Sequence, residues 1–154
     1  MNERLFDAAC VWPNRKIFFF KADEYIQYDI DTNSVDPYFP RKISEGWPGV
    51  FEEKIDAIGV WPVGSAYEGK AYFFRGDEYI RFDISSHRSD NGYPRKIRGG
   101  WPGLFERDID AVCVWGGGTA HPNKAYFFRG DEYIRYDIDK DRADEGYPFK
   151  IHGN

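Results

Sequence analysis

Three stretches of the chain alternate large apolar and polar side chains with period two. They read KIFFFKADEYIQYDI from Lys16, KAYFFRGDEYIRFDI from Lys70 and KAYFFRGDEYIRYDI from Lys124. In the middle stretch Ile80, Phe82 and Ile84 fall on one face, the spacing of a half-buried strand. Aromatic and β-branched residues fill both halves of each stretch and favour strands. Arg75-Gly76-Asp77 and Arg129-Gly130-Asp131 lie between the halves and predict tight hairpins. The first stretch has Lys21-Ala22-Asp23 there. A left-handed backbone would cost an alanine about 1 kcal/mol, so a milder turn is expected in that hairpin. Upstream of each hairpin runs a short apolar segment with small residues, Ala8-Ala9-Cys10, Ala57-Ile58-Gly59 and Ala111-Val112-Cys113, suited to a strand with little room beside it. Downstream, Tyr93 to Ile97 predicts a fourth, outer strand opened by a proline that sheet edges tolerate. No window shows helical periodicity.

These pieces repeat. Aligned on Asp7, Asp56 and Asp110, the variation in spacing falls between a Trp and the following Lys. Trp12 is followed by a short loop, whereas Trp61 and Trp115 are followed by Pro62 to Gly69 and Gly116 to Asn123. Four short antiparallel strands per unit predict an all-β propeller with three blades, approximately 1–46, 47–100 and 101–154, in one domain.

A net charge of −5 with no Lys/Arg block argues against nucleic acid as the partner. No apolar run is long enough to cross a bilayer, and the first residues lack a signal-peptide layout. The sequence as written is therefore expected to act away from the membrane, in the cytoplasm unless exported by another route. Cys10 and Cys113 share their place with Gly59, which predicts a tight slot holding buried, inert thiols rather than a disulfide or metal site.

The inner-strand Asp-Ala pairs, the YFFRGDEYIR hairpin and the Trp-Pro-Gly-Leu-Phe junction together resemble the hemopexin-like repeat family. The regular wording is most similar to microbial, photopexin-like members. The resemblance implies a disc of four blades, one more than counted here. It would leave a quarter of the disc open, with two blade flanks built for burial. A homodimer placing blade one against blade three of its partner is the expected completion, and a closed three-bladed monomer is the rival.

The resemblance also implies a cation, Ca²⁺ or Na⁺, in the central channel, held by the backbone carbonyls of Asp7, Asp56 and Asp110. Ala9, Ile58 and Val112 would form a second ion level. The competing reading is that these aspartates satisfy nearby backbone groups. Haem or polyamine ligands are further implications, although His87, His121 and His152 occupy unmatched positions that set up no bis-His site. The Arg-Gly-Asp triplets read as hairpin turns rather than adhesion motifs. The acidic run from Asp137 fails the EF-hand pattern, with Arg142 at the sixth place and Pro148 at the twelfth. Recognition is expected on the variable loops, at Tyr67, Glu68, His121 and Asn123. No motif pairs a nucleophile with a base. The sequence thus predicts a non-catalytic binding module, with a self-assembling structural protein as the alternative.

Overall fold

Period-two alternation produces strands throughout. The computed structural model describes residues 4–116 and 120–153. Sheet one holds β1 (Ala8–Trp12), β2 (Lys16–Lys21), β3 (Glu24–Asp29), β4 (Ser34–Val35) and β5 (Arg41–Lys42), followed by a single helical turn, α1 (Ile43–Gly46). Sheet two holds β6 (Ala57–Val60), β7 (Lys70–Arg75), β8 (Glu78–Asp83), β9 (Arg88–Ser89) and β10 (Arg95–Lys96). Sheet three holds β11 (Ala111–Trp115), β12 (Lys124–Arg129), β13 (Glu132–Asp137), β14 (Arg142–Ala143) and β15 (Phe149–Lys150). Each sheet is antiparallel, and β6 lies beside both β1 and β11, so the small-residue strands are innermost. Among the described residues no helix is long and apolar enough to cross a membrane.

Two local expectations need correction. The outer strand is not continuous from Tyr93 to Ile97. It is split into two short pieces, with Ser89 opposite Phe82 at one end of β8 and Arg95 opposite Tyr79 at the other. Pro94 has no N–H to give the ladder, and pairing begins only after it. Nor is the first hairpin milder. Ala22 has φ 52°, beside 58° for Gly76 and 59° for Gly130. All three hairpins therefore share a left-handed first turn residue, and Ala22 carries the strain.

The cores lie between sheets. Trp47, from the Gly-Trp-Pro-Gly junction, is wedged between the first two sheets, its ring centroid 5.1 Å from Trp12, 4.9 Å from Phe18, 5.7 Å from Phe73 and 5.4 Å from Phe82. Trp101 repeats this between sheets two and three, against Trp61, Tyr72, Phe127 and Tyr136. The Pro48 and Pro102 carbonyls accept hydrogen bonds from Ser89 N–H and Ala143 N–H, tying each junction to the next sheet.

The outward flanks of sheets one and three lack such cover. Ile43 and Ile97 are fully buried, whereas their counterpart Ile151 is 45% exposed. Trp12 and Trp61 are buried, whereas Trp115 is 47% exposed, and Val11 on the opposite flank is 62% exposed. The same alternation corrects the cysteine expectation. Cys10 faces sheet two and is buried, and burial pushes its thiol up to about 12. Cys113 faces away from sheet two and is exposed. At Gly59 the slot is as tight as expected, since a Cβ there would meet the Trp61 ring at 2.8 Å and Val112 Cγ1 at 3.1 Å.

Candidate functional site

Asp7, Asp56 and Asp110 immediately precede the three inner strands, and the fold brings them to one mouth. That cavity, of about 320 Å³, is lined by the three aspartates together with Asp108, Arg4, Lys54, Ile55 and Ile109. Their side chains do a repeated structural task. Asp7 Oδ2 accepts the Ala22 N–H at 2.7 Å, Asp56 Oδ2 the Gly76 N–H at 2.7 Å, and Asp110 Oδ2 the Gly130 N–H at 2.6 Å. Each carboxylate thus caps the left-handed residue of its own hairpin, the backbone-satisfying role weighed from the sequence. Burial raises the Asp56 pKa; the Gly76 amide opposes this, and neighbouring Asp108 and Asp110 add to it.

With side chains turned to the hairpins, a cation at this mouth would depend on backbone oxygens. Among the described residues β1, β6 and β11 pair with strands on one edge only, and an unpaired strand edge presents alternate backbone groups. Four carboxylates against two cationic side chains make the lining net acidic, which suits a hard cation. Arg4 works against it, standing 3.9 Å from Asp110 Oδ1. Ala9, Ile58 and Val112 sit two residues further along and line a separate cavity of about 400 Å³ with Cys10, Val60 and Val114. The side chains there are apolar, so a second ion level could use main-chain oxygen only. Among the described residues no three His, Cys, Asp or Glu side chains are grouped to hold a metal.

The variable loops lie together. Asp139 joins them, accepting the Ala66 N–H at 2.8 Å and the Asn123 Nδ2 at 3.0 Å. Pro62 to Gly69 is ordered by its own contacts: Glu68 Oε2 accepts the Gly64 N–H, and buried Ser65 donates to the Pro62 carbonyl. Tyr67 is exposed with φ 61°, and His121 is also exposed. Gly117 to Thr119, within the second loop, lie outside the described residues. Of the other histidines, His152 is exposed after β15, and His87 packs on Trp47. The acids of the Arg-Gly-Asp triplets pair with outer-strand lysines, Asp77 with Lys96 and Asp131 with Lys150, as Asp23 does with Lys42.

Two recurring arrangements escaped the sequence reading. Lys16 bridges Asp29 at 2.6 Å and Asp36 at 2.9 Å; Lys70 does the same with Asp83 and Asp90, and Lys124 with Asp137 and Asp144. Each lysine opens a second strand directly opposite the aspartate that closes the third. The recurrence of all three residues at one spacing was the available signal. The other arrangement is the pair of junction tryptophans, whose indole Nε1 atoms are both buried without a partner among the described residues.

The hemopexin family profile matches residues 6–50, 55–104 and 109–154, one match per sheet. Rabbit vitronectin (Oryctolagus cuniculus) is 31% identical over 140 residues, covering 91% of this chain and 28% of its own length. Among solved structures, LS24, a seed albumin from Lathyrus sativus, is 25% identical with a TM-score of 0.74, covering 95% of this chain and 66% of that one. A plant lectin with two metal binding sites from Cicer arietinum is 25% identical with a TM-score of 0.68, covering 97% and 65%. The chain thus spans under a third of the curated relative and about two thirds of the solved ones. With its three repeats matched in sequence and its three sheets matched in space, the chain belongs to the hemopexin family.

Proposed function

We propose that this chain is a non-catalytic binding module that presents its variable loops to a ligand and holds a hard cation at the axial mouth. The observation that carries the reading is the convergence of Asp7, Asp56 and Asp110, with Asp108, on one net-acidic cavity beside three strand edges unpaired among the described residues. The metal sites named for the chickpea lectin support the same direction. Among the described residues none at this mouth is arranged as a nucleophile–base pair; three of its four carboxylates are engaged with turn amides, and Asp108 accepts from Arg107 Nε. The cation's part would be to neutralise the three strand starts and fix the axis, while the loops recognise the ligand. Calorimetry with Ca²⁺, Na⁺, spermine and hemin tests this. Saturable binding of Ca²⁺ or Na⁺ that raises the melting temperature supports the cation site, and silence from both ions removes it.

A second reading, self-association, is favoured by the uncovered flanks. Trp115, Cys113 and Ile151 on one side and Val11 and Ala9 on the other repeat the residue classes that meet inside the two buried junctions. A second copy placing blade one against blade three would cover them as a homodimer. Light scattering at the monomer mass across a concentration series rejects it.

A further inference from the structure

The two junctions differ at several places, and one of the differences bears on a cleft beside the second. Asn33, His87 and Asp141 are equivalent residues, all with left-handed φ of 52–54° in the turn after the third strand. At the first junction the His87 ring lies 5.1 Å from the Trp47 ring and 5.2 Å, edge on, from Phe82. Its Nε2–H donates to the Gly46 carbonyl at 2.8 Å. An imidazole thus sits between the wedge tryptophan, an aromatic wall and a glycine carbonyl. At the second junction Trp101, Tyr136 and Gly100 repeat Trp47, Phe82 and Gly46, but the imidazole is absent. Asp141 turns instead to Tyr136, whose hydroxyl donates to its Oδ1 at 2.9 Å. What remains is a cleft of about 220 Å³ lined by Tyr67, Tyr72, Arg81, Arg95, Gly100, Trp101 and Asp141, among others.

We propose that this cleft is a binding site for a small imidazole-bearing ligand, which takes the position that His87 occupies at the sister junction. The ring's N–H has the Gly100 carbonyl to donate to, as His87 has Gly46. Its second nitrogen is an acceptor for the N–H groups of Arg81 and Arg95 on the lining. Tyr67 adds a wall that the first junction lacks, because the loop after Trp12 is too short to supply one. This also gives the longer loop of blade two a task. The site is independent of the axial cation.

The test is calorimetric titration of the full chain with imidazole and with histidine, with the Trp101 indole N–H followed by nitrogen-15 NMR. One saturable equivalent in the millimolar range that moves the Trp101 signal is expected. Asp141→His, which fills the cleft from within, should abolish binding and raise the melting temperature. His87→Asp, which empties the first junction, should add a second, weaker equivalent. Absence of saturable binding in the wild type overturns the proposal, as does undiminished binding in a folded Asp141→His. Should Asp141→His fail to fold, the His87→Asp stoichiometry decides: no gain overturns it.

Discussion

The hairpin strain at Ala22 can be measured against its own internal controls. Ala22, Gly76 and Gly130 occupy one turn position at φ 52°, 58° and 59°, and each N–H is capped by its own aspartate. A Cβ built on Gly76 or Gly130 meets nothing within 4 Å, so exchange between glycine and alanine leaves packing untouched. Only conformational terms remain. Holding an alanine left-handed costs about 1–2 kcal/mol, whereas glycine's greater freedom in the unfolded chain costs about 0.5–1 kcal/mol. Ala22→Gly should therefore stabilise the protein by about 0.5–1 kcal/mol, with Gly76→Ala and Gly130→Ala destabilising it by similar amounts. For a chain of this length that is a shift of about 1–4 °C in melting temperature. Urea unfolding gives the free energies directly, provided the m-value is unchanged. Loss of stability in Ala22→Gly, or a neutral Gly76→Ala, would show that the turn conformation is not what separates the three blades.

The lysine triads predict acid sensitivity. Hydrogen bonds from Lys16 hold Asp29 and Asp36 below the usual carboxylate range, and hydrogen bonds from Ser86, helped by Lys70, hold Asp83 at about 2. Depressed folded values mean that this stability is present above the unfolded value near 4 and fades as pH falls from about 4 to about 2. Chemical denaturation at stepped pH should show the decline there, and a flat profile would refute it. Lys124, with only 14% of its side chain exposed, bridges Asp137 and Asp144. Lys124→Ala should cost about 2–3 kcal/mol by urea unfolding, more than a surface lysine such as Lys140. Trp101→Ala removes the wedge between two sheets and should cost about 3–5 kcal/mol, lowering the melting temperature accordingly.

The fold was legible because repetition amplifies weak signals. One run of alternating aromatics is ambiguous, but three in register with the same turn leave little choice. The aspartates were legible too, because an acid recurring before a small-residue strand has to face the place where strands crowd. The split outer strand was not, since a pair of two-residue ladders carries no periodicity and its pairing is set by the neighbouring strand. Cys113 misled because local sequence cannot report whether a next sheet covers it; its neighbours match those of Cys10 almost letter for letter. The His87–Asp141 difference was hidden for another reason. It gains meaning only when Trp47 and Trp101 are known to wedge the junctions, so that the residue on each indole is seen to fill a space or leave it.

The aspartates hold two roles that substitution can separate. As turn caps they need an acceptor oxygen; as sources of negative potential at the axial mouth they need charge. Asparagine retains the oxygen and loses the charge, whereas alanine loses both. Asp56 is the informative position, because burial already raises its pKa and Asp108 and Asp110 oppose its ionisation. Neutralising it should therefore cost the fold little. Asp56→Asn is expected to change stability by under about 0.5 kcal/mol, and Asp56→Ala, which leaves the Gly76 N–H uncapped, to lose about 1–2 kcal/mol. Ca²⁺ or Na⁺ affinity at the mouth should fall in both variants, since both remove the same charge. If Asp56→Asn were as unstable as Asp56→Ala, charge and not the hairpin bond would be what this residue gives the fold. If it bound the ion undiminished, the field of the carboxylates would have no part in the site.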